Sequence, residues 1–276
     1  MPSSPVTAPI LFDRALLARR IARAKKLGLA TFLLDRVRED MAERLAAVNR
    51  EFAEAADIWT PGEGLSLPGL KVRHIDIAGD ETLPFAPGSL DLAVSALAFQ
   101  FVNDLPGVLA QIRRALKPDG LLLAALMGGD TLTELRQSFA AAEAECEGGV
   151  SPRVAPFADL RDIGGLLQRA GLALPVTDVD RVVVRYDNAF ALMNDLRRMG
   201  ATNVLLERRH APTRRTTMLR ITQVYTERFA DPDGRIRATF DIVWLSAWAP
   251  HESQPKPLRP GSATASLEEA VKRGKR

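Results

Sequence analysis

The chain has 276 residues, 46% hydrophobic and 26% charged, with a formal net charge of +3. That is enough chain and apolar content for a full core, as one large domain or one domain with an appendage, and so small a charge makes no case for nucleic acid. One cysteine, Cys146, excludes an internal disulfide, and His74, His210 and His251 lie too far apart in the chain to suggest a metal set.

From Asp13 to Val48, apolar residues recur at helical spacing: Leu16, Leu17 and Ile21, then Phe32, Leu33, Val37, Met41 and Leu45. Gly28 divides this stretch into two predicted helices. The first carries Arg14, Arg19, Arg20, Arg23, Lys25 and Lys26 against Asp13 alone, which is either a solvated face or a docking face for an acidic protein or a membrane surface. "LKVRHIDIA" (70–78) alternates and reads as a strand. "LDLAVSALAF" (90–99) is a nearly continuous apolar run, as a buried parallel strand requires. A helix follows over 104–116, with Asp104 as its cap and Pro106 in its first turn. "KPDG" (117–120) predicts a turn and "LLLAALMGG" (121–129) another buried strand. Thr131 and Glu134 have the spacing of a capping box for a helix running to about Glu147. Further helices are expected over 159–170, 188–199 and 213–230, with strands over 176–186 and 236–250. Alternating strands and helices predict an α/β sheet with right-handed crossovers. Trp244 and Trp248, four apart on the last strand, share a face. No apolar run approaches the roughly 20 residues of a spanning helix, and the tail from Gln254, ending in "KRGKR", has little periodicity.

The stretch 83–136, "LPFAPGSLDLAVSALAFQFVNDLPGVLAQIRRALKPDGLLLAALMGGDTLTELR", resembles the class I S-adenosylmethionine-dependent methyltransferases. Within them the chain is similar to the biotin-pathway malonyl-carrier-protein methyltransferases. It is more similar still to the methyltransferase-fold assembly factor of respiratory complex I and its alphaproteobacterial relatives. "FDR" (12–14), "GGDTLTELR" (128–136), "EGGVSPRVAPF" (147–157), "LLQRAG" (166–171), "HESQ" (251–254) and "GSAT" (261–264) carry that likeness in order, over nearly the whole chain from Phe12. The resemblance implies a Rossmann-like, mostly parallel seven-stranded sheet flanked by helices, its last strand antiparallel, with cofactor across the carboxyl ends of the strands. It places Ser95, Leu97 and Gln100 toward cofactor and substrate, although without it Ser95 and Leu97 would be simple strand-end packing. Relatives carry His-Trp where this chain has Gln100 and Phe101. The first eleven residues show no secretory signal. With the likeness beginning at Phe12, little remains for a presequence, so the expected location is a bacterial cytoplasm, or the mitochondrial matrix in a eukaryote.

The decisive stretch is "ADIWTPGEG" (56–64). In the family it implies, a first strand ends in an acid and a loop of type Asp-x-Gly-x-Gly-x-Gly, whose glycines let the backbone approach the cofactor. Aligned on Asp57, the first two glycine positions hold Trp59 and Pro61, and Gly62 and Gly64 fit only after a shift of one. Residues 59–89 also leave room for about one strand–helix crossover where the family has two. The expected fold is therefore a class I methyltransferase sheet shortened by about one strand–helix unit. It follows an N-terminal helical pair (1–48), spans 49–253 and precedes a basic tail (254–276). Asp76 replaces the ribose-binding acid if 70–78 is the second strand; Asp80 or Glu81 lies near the adenine if it is the third.

Candidate cofactor contacts are Asp57, Gly62, Gly64, Asp80, Glu81, Ser95, Leu97 and Gln100; no catalytic residue is assigned. His251 and Glu252 form either an acid–base pair or an ordinary turn after the last strand. Two functions follow. One is an S-adenosylmethionine-dependent enzyme acting on a protein or carrier-protein acceptor, with arginine modification, including hydroxylation, on a complex I subunit among the options. The other is a pseudoenzyme that keeps the shape as an assembly factor or scaffold and binds S-adenosylmethionine weakly.

Overall fold

The computed structural model describes residues 10–67, 69–77 and 80–255. The two N-terminal helices form as the spacing predicts: α1 (Arg14–Leu27), capped by the Asp13 carboxylate on the Leu16 N–H, and α2 (Phe32–Ala46). Strands β1 (Ala55–Ile58), β2 (Val72–Ile75), β3 (Leu90–Ala96) and β4 (Leu116–Gly128) follow, with helix α3 (Leu105–Ala115) between the last two. Then come α4 (Thr133–Glu147), α5 (Leu160–Arg169), β5 (Ala173–Tyr186), α6 (Ala189–Arg198), α7 (Arg215–Phe229) and β6 (Ile236–Trp248).

Among the described residues, six strands form one sheet in the order β2-β1-β3-β4-β6-β5. Neighbours among β1 to β4 pair in parallel, and β6 runs antiparallel to both β4 and β5. The sheet has one strand fewer than the seven the resemblance implies, as the short 59–89 segment anticipates. The shortening goes further than one lost unit. Among the described residues, neither the 59–71 nor the 76–89 connection contains a helix, so β2 joins β1 and β3 through loops alone.

Alternation along the central strands divides the core between the two faces. Ala93, Leu122, Ala124 and Leu126 pack with α3 and α5. Leu92, Val94, Leu121, Leu123, Trp244 and Trp248 pack under Leu34, Val37 and Met41 of α2, so the two tryptophans do share a face. The helices α4, α6 and α7 cover the rest of that second face beside β5 and β6. The N-terminal pair is thus part of the layered core. Gly200 allows α1 to dock beside α6: a Cβ there would lie 3.2 Å from the Ile21 Cα, and φ is 73°.

Two local expectations need correction. Residues 117–120 do not leave the sheet as a turn. They belong to β4, which meets Leu90 at Leu116 and Leu92 only at Leu121; the extra residues bulge, with Asp119 at φ 64°. Thr131 and Glu134 do not cap α4. Thr131 Oγ1 exchanges hydrogen bonds with the backbone of Asp241 at 3.0 and 3.2 Å, and Glu134 accepts from the Thr239 N–H at 3.1 Å and from the Thr239 hydroxyl. The end of β6 that extends past β4 presents unpaired backbone groups, and these two side chains satisfy them in place of the helix's own N–H groups. The segments "GSAT" and "KRGKR" lie outside the described residues.

Candidate functional site

The carboxyl ends of β1 to β4 converge on one region, and the backbone is strained there. Trp59 after β1, Leu97 after β3 and Leu132 after β4 take φ of 64°, 52° and 57°. Side chains on left-handed backbone cost on the order of 1 kcal/mol each and gather where a site imposes the turn.

Asp57, near the end of β1, is fully buried. It accepts hydrogen bonds from the Leu65 N–H at 2.7 Å and from the Thr60 hydroxyl, and its Oδ2 lies 2.8 Å from His74 Nδ1. His74 is its register partner across β2. Gly64 closes this loop at φ 78°, where a Cβ would fall 2.5 Å from His74 Nδ1 and 2.7 Å from Asp57 Oδ2; glycine is required. Thr60 also accepts from the Ala96 N–H at 2.9 Å, and Ser95 Oγ donates to the Ile58 carbonyl at 2.8 Å, pinning the start of the loop to β3.

Trp59 occupies the first glycine position of the expected loop. It retains the left-handed backbone a glycine would adopt and adds a large side chain that is 1% exposed. Its ring meets Phe99 edge-on at 6.3 Å, and the Arg14 guanidinium of α1 lies 4.7 Å from its centroid. Arg14 is itself held 3.4 Å from Glu81, and burial lowers its pKa against the raising influence of Glu81 and Asp80. The N-terminal helix therefore sits on the loop as a clamp, through a cation–π contact.

Beside the loop is a cavity of about 260 Å³. Pro61, Ile77, Leu97 and Met127 reach it from the ends of the four parallel strands. Leu17 and Ile21 of α1, Leu33 of α2, Phe139 of α4 and Leu196 of α6 close it. Of the sequence candidates, Leu97 and Gln100 line this cavity. Asp57 and Ser95 are consumed by the internal bonds above, and Gly62 and Gly64 shape the loop at φ 89° and 78°. Glu81 accepts from the Asn103 and Asp104 N–H groups at 2.7 and 2.8 Å, and Asp80 lies exposed beside Thr82. Asp76 follows β2, the strand beside β1, but its side chain is 78% exposed and stands 3.4 Å from His74 Nε2.

His251 and Glu252 form a turn, with His251 Nδ1 2.7 Å from Ser253 Oγ. Gln254 ties that turn to Asp119 at 3.0 Å, at the amino end of β4 and so opposite the cavity. The basic helix is less open than its composition suggests. Arg14 faces Trp59, and Arg20 bonds the Asn203 carbonyl with its pKa lowered by burial and by Arg23 and Arg208. Arg19, Arg23, Lys25 and Lys26 remain exposed. His74 and Thr60 escaped the sequence reading. The only available signal for His74 was its place in a strand expected to run beside Asp57.

Residues 28–124 match the family model described as "Methyltransferase domain". The chain is 36% identical to the mitochondrial arginine-hydroxylase NDUFAF5 of Danio rerio, over 96% of this chain and 91% of that protein. It is 38% identical to the Mus musculus protein of the same name, over 99% and 88%. A malonyl-[acyl-carrier protein] O-methyltransferase of Laribacter hongkongensis is 42% identical over 62% of this chain and 54% of its own. With the shortened methyltransferase sheet, these end-to-end likenesses are sufficient: the chain belongs to the NDUFAF5 family of class I methyltransferase-fold proteins.

Proposed function

We propose that this protein is a methyltransferase-fold factor of respiratory complex I assembly that engages a protein partner and has closed the family's S-adenosylmethionine loop. The observation that carries this reading is Trp59, a buried indole where the loop needs a bare backbone. A second feature agrees: among the described residues, no Asp or Glu lines the cavity, so nothing there offers a carboxylate to a ribose. The residues present do not fit S-adenosylmethionine held in the family's manner. The mitochondrial relatives support the matrix as its place in a eukaryote; in a bacterium we place it in the cytoplasm.

Losing about three cofactor hydrogen bonds, at roughly 1 kcal/mol net each, weakens binding by about a hundredfold. Calorimetric titration should therefore show weak or undetectable S-adenosylmethionine binding. Stoichiometric tight binding, or cofactor carried through purification, would sink the closed-loop reading.

That result would favour a second reading, in which the chain transfers a methyl group to a protein or carrier-protein acceptor. The same reading leaves room for modification of an arginine, as the name of the eukaryotic relatives suggests. Gly62 and Gly64, both still left-handed, are the observation in its favour. Methyl transfer is an in-line displacement, and positioning would supply most of its acceleration.

The partner surface we assign is the outer face of α1, for an acidic protein surface or, peripherally, a membrane. Reversing charge at Arg19, Lys25 and Lys26 should weaken capture of the native partner at low salt, where exposed charges act furthest, without changing the melting temperature. Unchanged capture would reduce these residues to a solvated face. Arg14 and Arg20 are unsuitable for this test because both hold the fold.

A further inference from the structure

We propose that the cavity at the strand ends takes an uncharged aliphatic ligand, a slender hydrocarbon chain, in place of a nucleoside cofactor. The proposal rests on the closed-loop reading above and says what the remaining space is for.

The first argument is chemical. Among the described residues, six polar side chains reach the cavity wall: Thr31, Gln100, Thr131, Arg153, Thr202 and Asn203. Each is already engaged by protein. Thr31 donates to Asp35 at 2.6 Å, and Thr131 exchanges bonds with the Asp241 backbone. The Gln100 amide spans the mouths of two strands, donating to the Leu97 carbonyl at 2.7 Å and accepting from the Met127 N–H at 3.4 Å. Asn203 donates to the Pro152 carbonyl at 2.8 Å and accepts from the Leu205 N–H at 3.0 Å; Thr202 meets Arg23 at 3.5 Å. The single charge, Arg153, bonds through Nε to the fully buried Glu143 at 2.7 Å, so the wall carries no net charge there. A zwitterion or ribose entering this space would surrender its hydration to side chains that each already hold a protein partner, which is unfavourable. A hydrocarbon surrenders nothing of that kind.

The second argument is shape. Leu17, Leu33, Leu132, Val204 and Phe240 on the wall are all buried, so the space lies between the sheet and its covering helices. The lining residues of the loops at 29–31, 153–157 and 201–203 are half-buried and form much of the rim, and Pro61, Ile77, Leu97, Gln100 and Met127 at the strand ends are half-buried as well. A folded partner cannot reach between these layers; a chain of single-methylene width can. Met127, Met193 and Met199 give the wall unbranched, adaptable side chains suited to such an occupant. Each methylene moved from water onto this wall is worth about fourfold in affinity.

The test uses the full chain and N-phenyl-1-naphthylamine, an uncharged fluorescent probe. Saturable one-to-one uptake, displaced by 1-decanol, is expected. Ala30→Phe and Ala155→Phe, placed on two separate rim loops, should each weaken uptake by about tenfold, the loss of roughly two methylenes of contact. Because either variant could perturb folding, the unaltered protein should also melt at a higher temperature with micromolar 1-decanol. No saturable uptake, uptake insensitive to both variants, or no thermal shift overturns the proposal. S-adenosylhomocysteine is titrated in parallel. Its tight binding with displacement of the probe overturns the closed-loop reading and this inference together, whereas absence of probe uptake with no S-adenosylhomocysteine binding overturns the inference alone.

Discussion

Replacing Trp59 with alanine should lower the unfolding free energy by about 3–5 kcal/mol, the range for truncating a buried aromatic side chain. The indole packs against Phe99, and removing it also strips the Arg14 guanidinium of its cation–π surface, leaving that charge half-buried with Glu81 as its principal partner. Trp59→Gly makes a sharper comparison. It opens the same cavity but accepts φ 64° without the Cβ penalty, so it should be the more stable of the two variants by roughly 1 kcal/mol. Urea denaturation of the three proteins measures both differences. If alanine costs less than about 1 kcal/mol, Trp59 is not the plug described here. The glycine variant also restores the bare backbone of the family's loop. A gain in S-adenosylmethionine affinity on making it would identify the indole as the obstacle, and no gain would shift the obstacle to the missing carboxylate.

What could be read in advance divides along the range of the interactions. Strands β3 and β4 announce themselves because both faces of each are buried, leaving unbroken apolar runs. Helix α3 is equally legible, since Asp104 caps it from the immediately preceding position, accepting from the Gly107 N–H at 2.9 Å. Asp57 stands out as the acid ending the first strand, but the side chain that completes its environment, His74, arrives from a different strand at the same register. Periodicity says which face a residue takes, not which strand lies alongside. The Thr131–Glu134 spacing misleads for the same reason: a local capping geometry competes with β6 more than a hundred residues later, and the tertiary partner wins. The basic character of α1 was visible as a count, whereas the inward turn of Arg14 and Arg20 depends on Trp59 and Asn203 being in place. At the cavity, the family likeness pointed to Leu97 and Gln100. The covering wall from α1 and from 196–204 is assembled by long-range packing, and the sequence carried no local mark of it.

The largest electrostatic effect is expected at Glu143, which holds part of that wall. This residue of α4 is 1% exposed, and it accepts from the Ser151 N–H at 2.9 Å, from the Ser151 hydroxyl and from the Arg153 guanidinium. Those bonds fix the turn after α4, from which Arg153, Val154, Ala155 and Phe157 reach the cavity. Glu143→Ala should cost about 3–5 kcal/mol, mainly because Arg153 is then left beside the Phe139 ring without a counter-charge. Arg153→Met alone leaves the buried carboxylate with only Ser151 and should be comparably damaging. The double variant removes both charges at once and puts a flexible apolar side chain on the wall, so it should recover most of the loss, because a buried ion pair replaced by packed apolar groups is often close to neutral. A double-mutant cycle in urea therefore predicts a coupling of at least about 2 kcal/mol. Strict additivity would mean that the two groups do not depend on each other and that the loop is held by Ser151 alone. In the coupled case the double variant should still take up N-phenyl-1-naphthylamine, since the charge it loses was already neutralised within the wall.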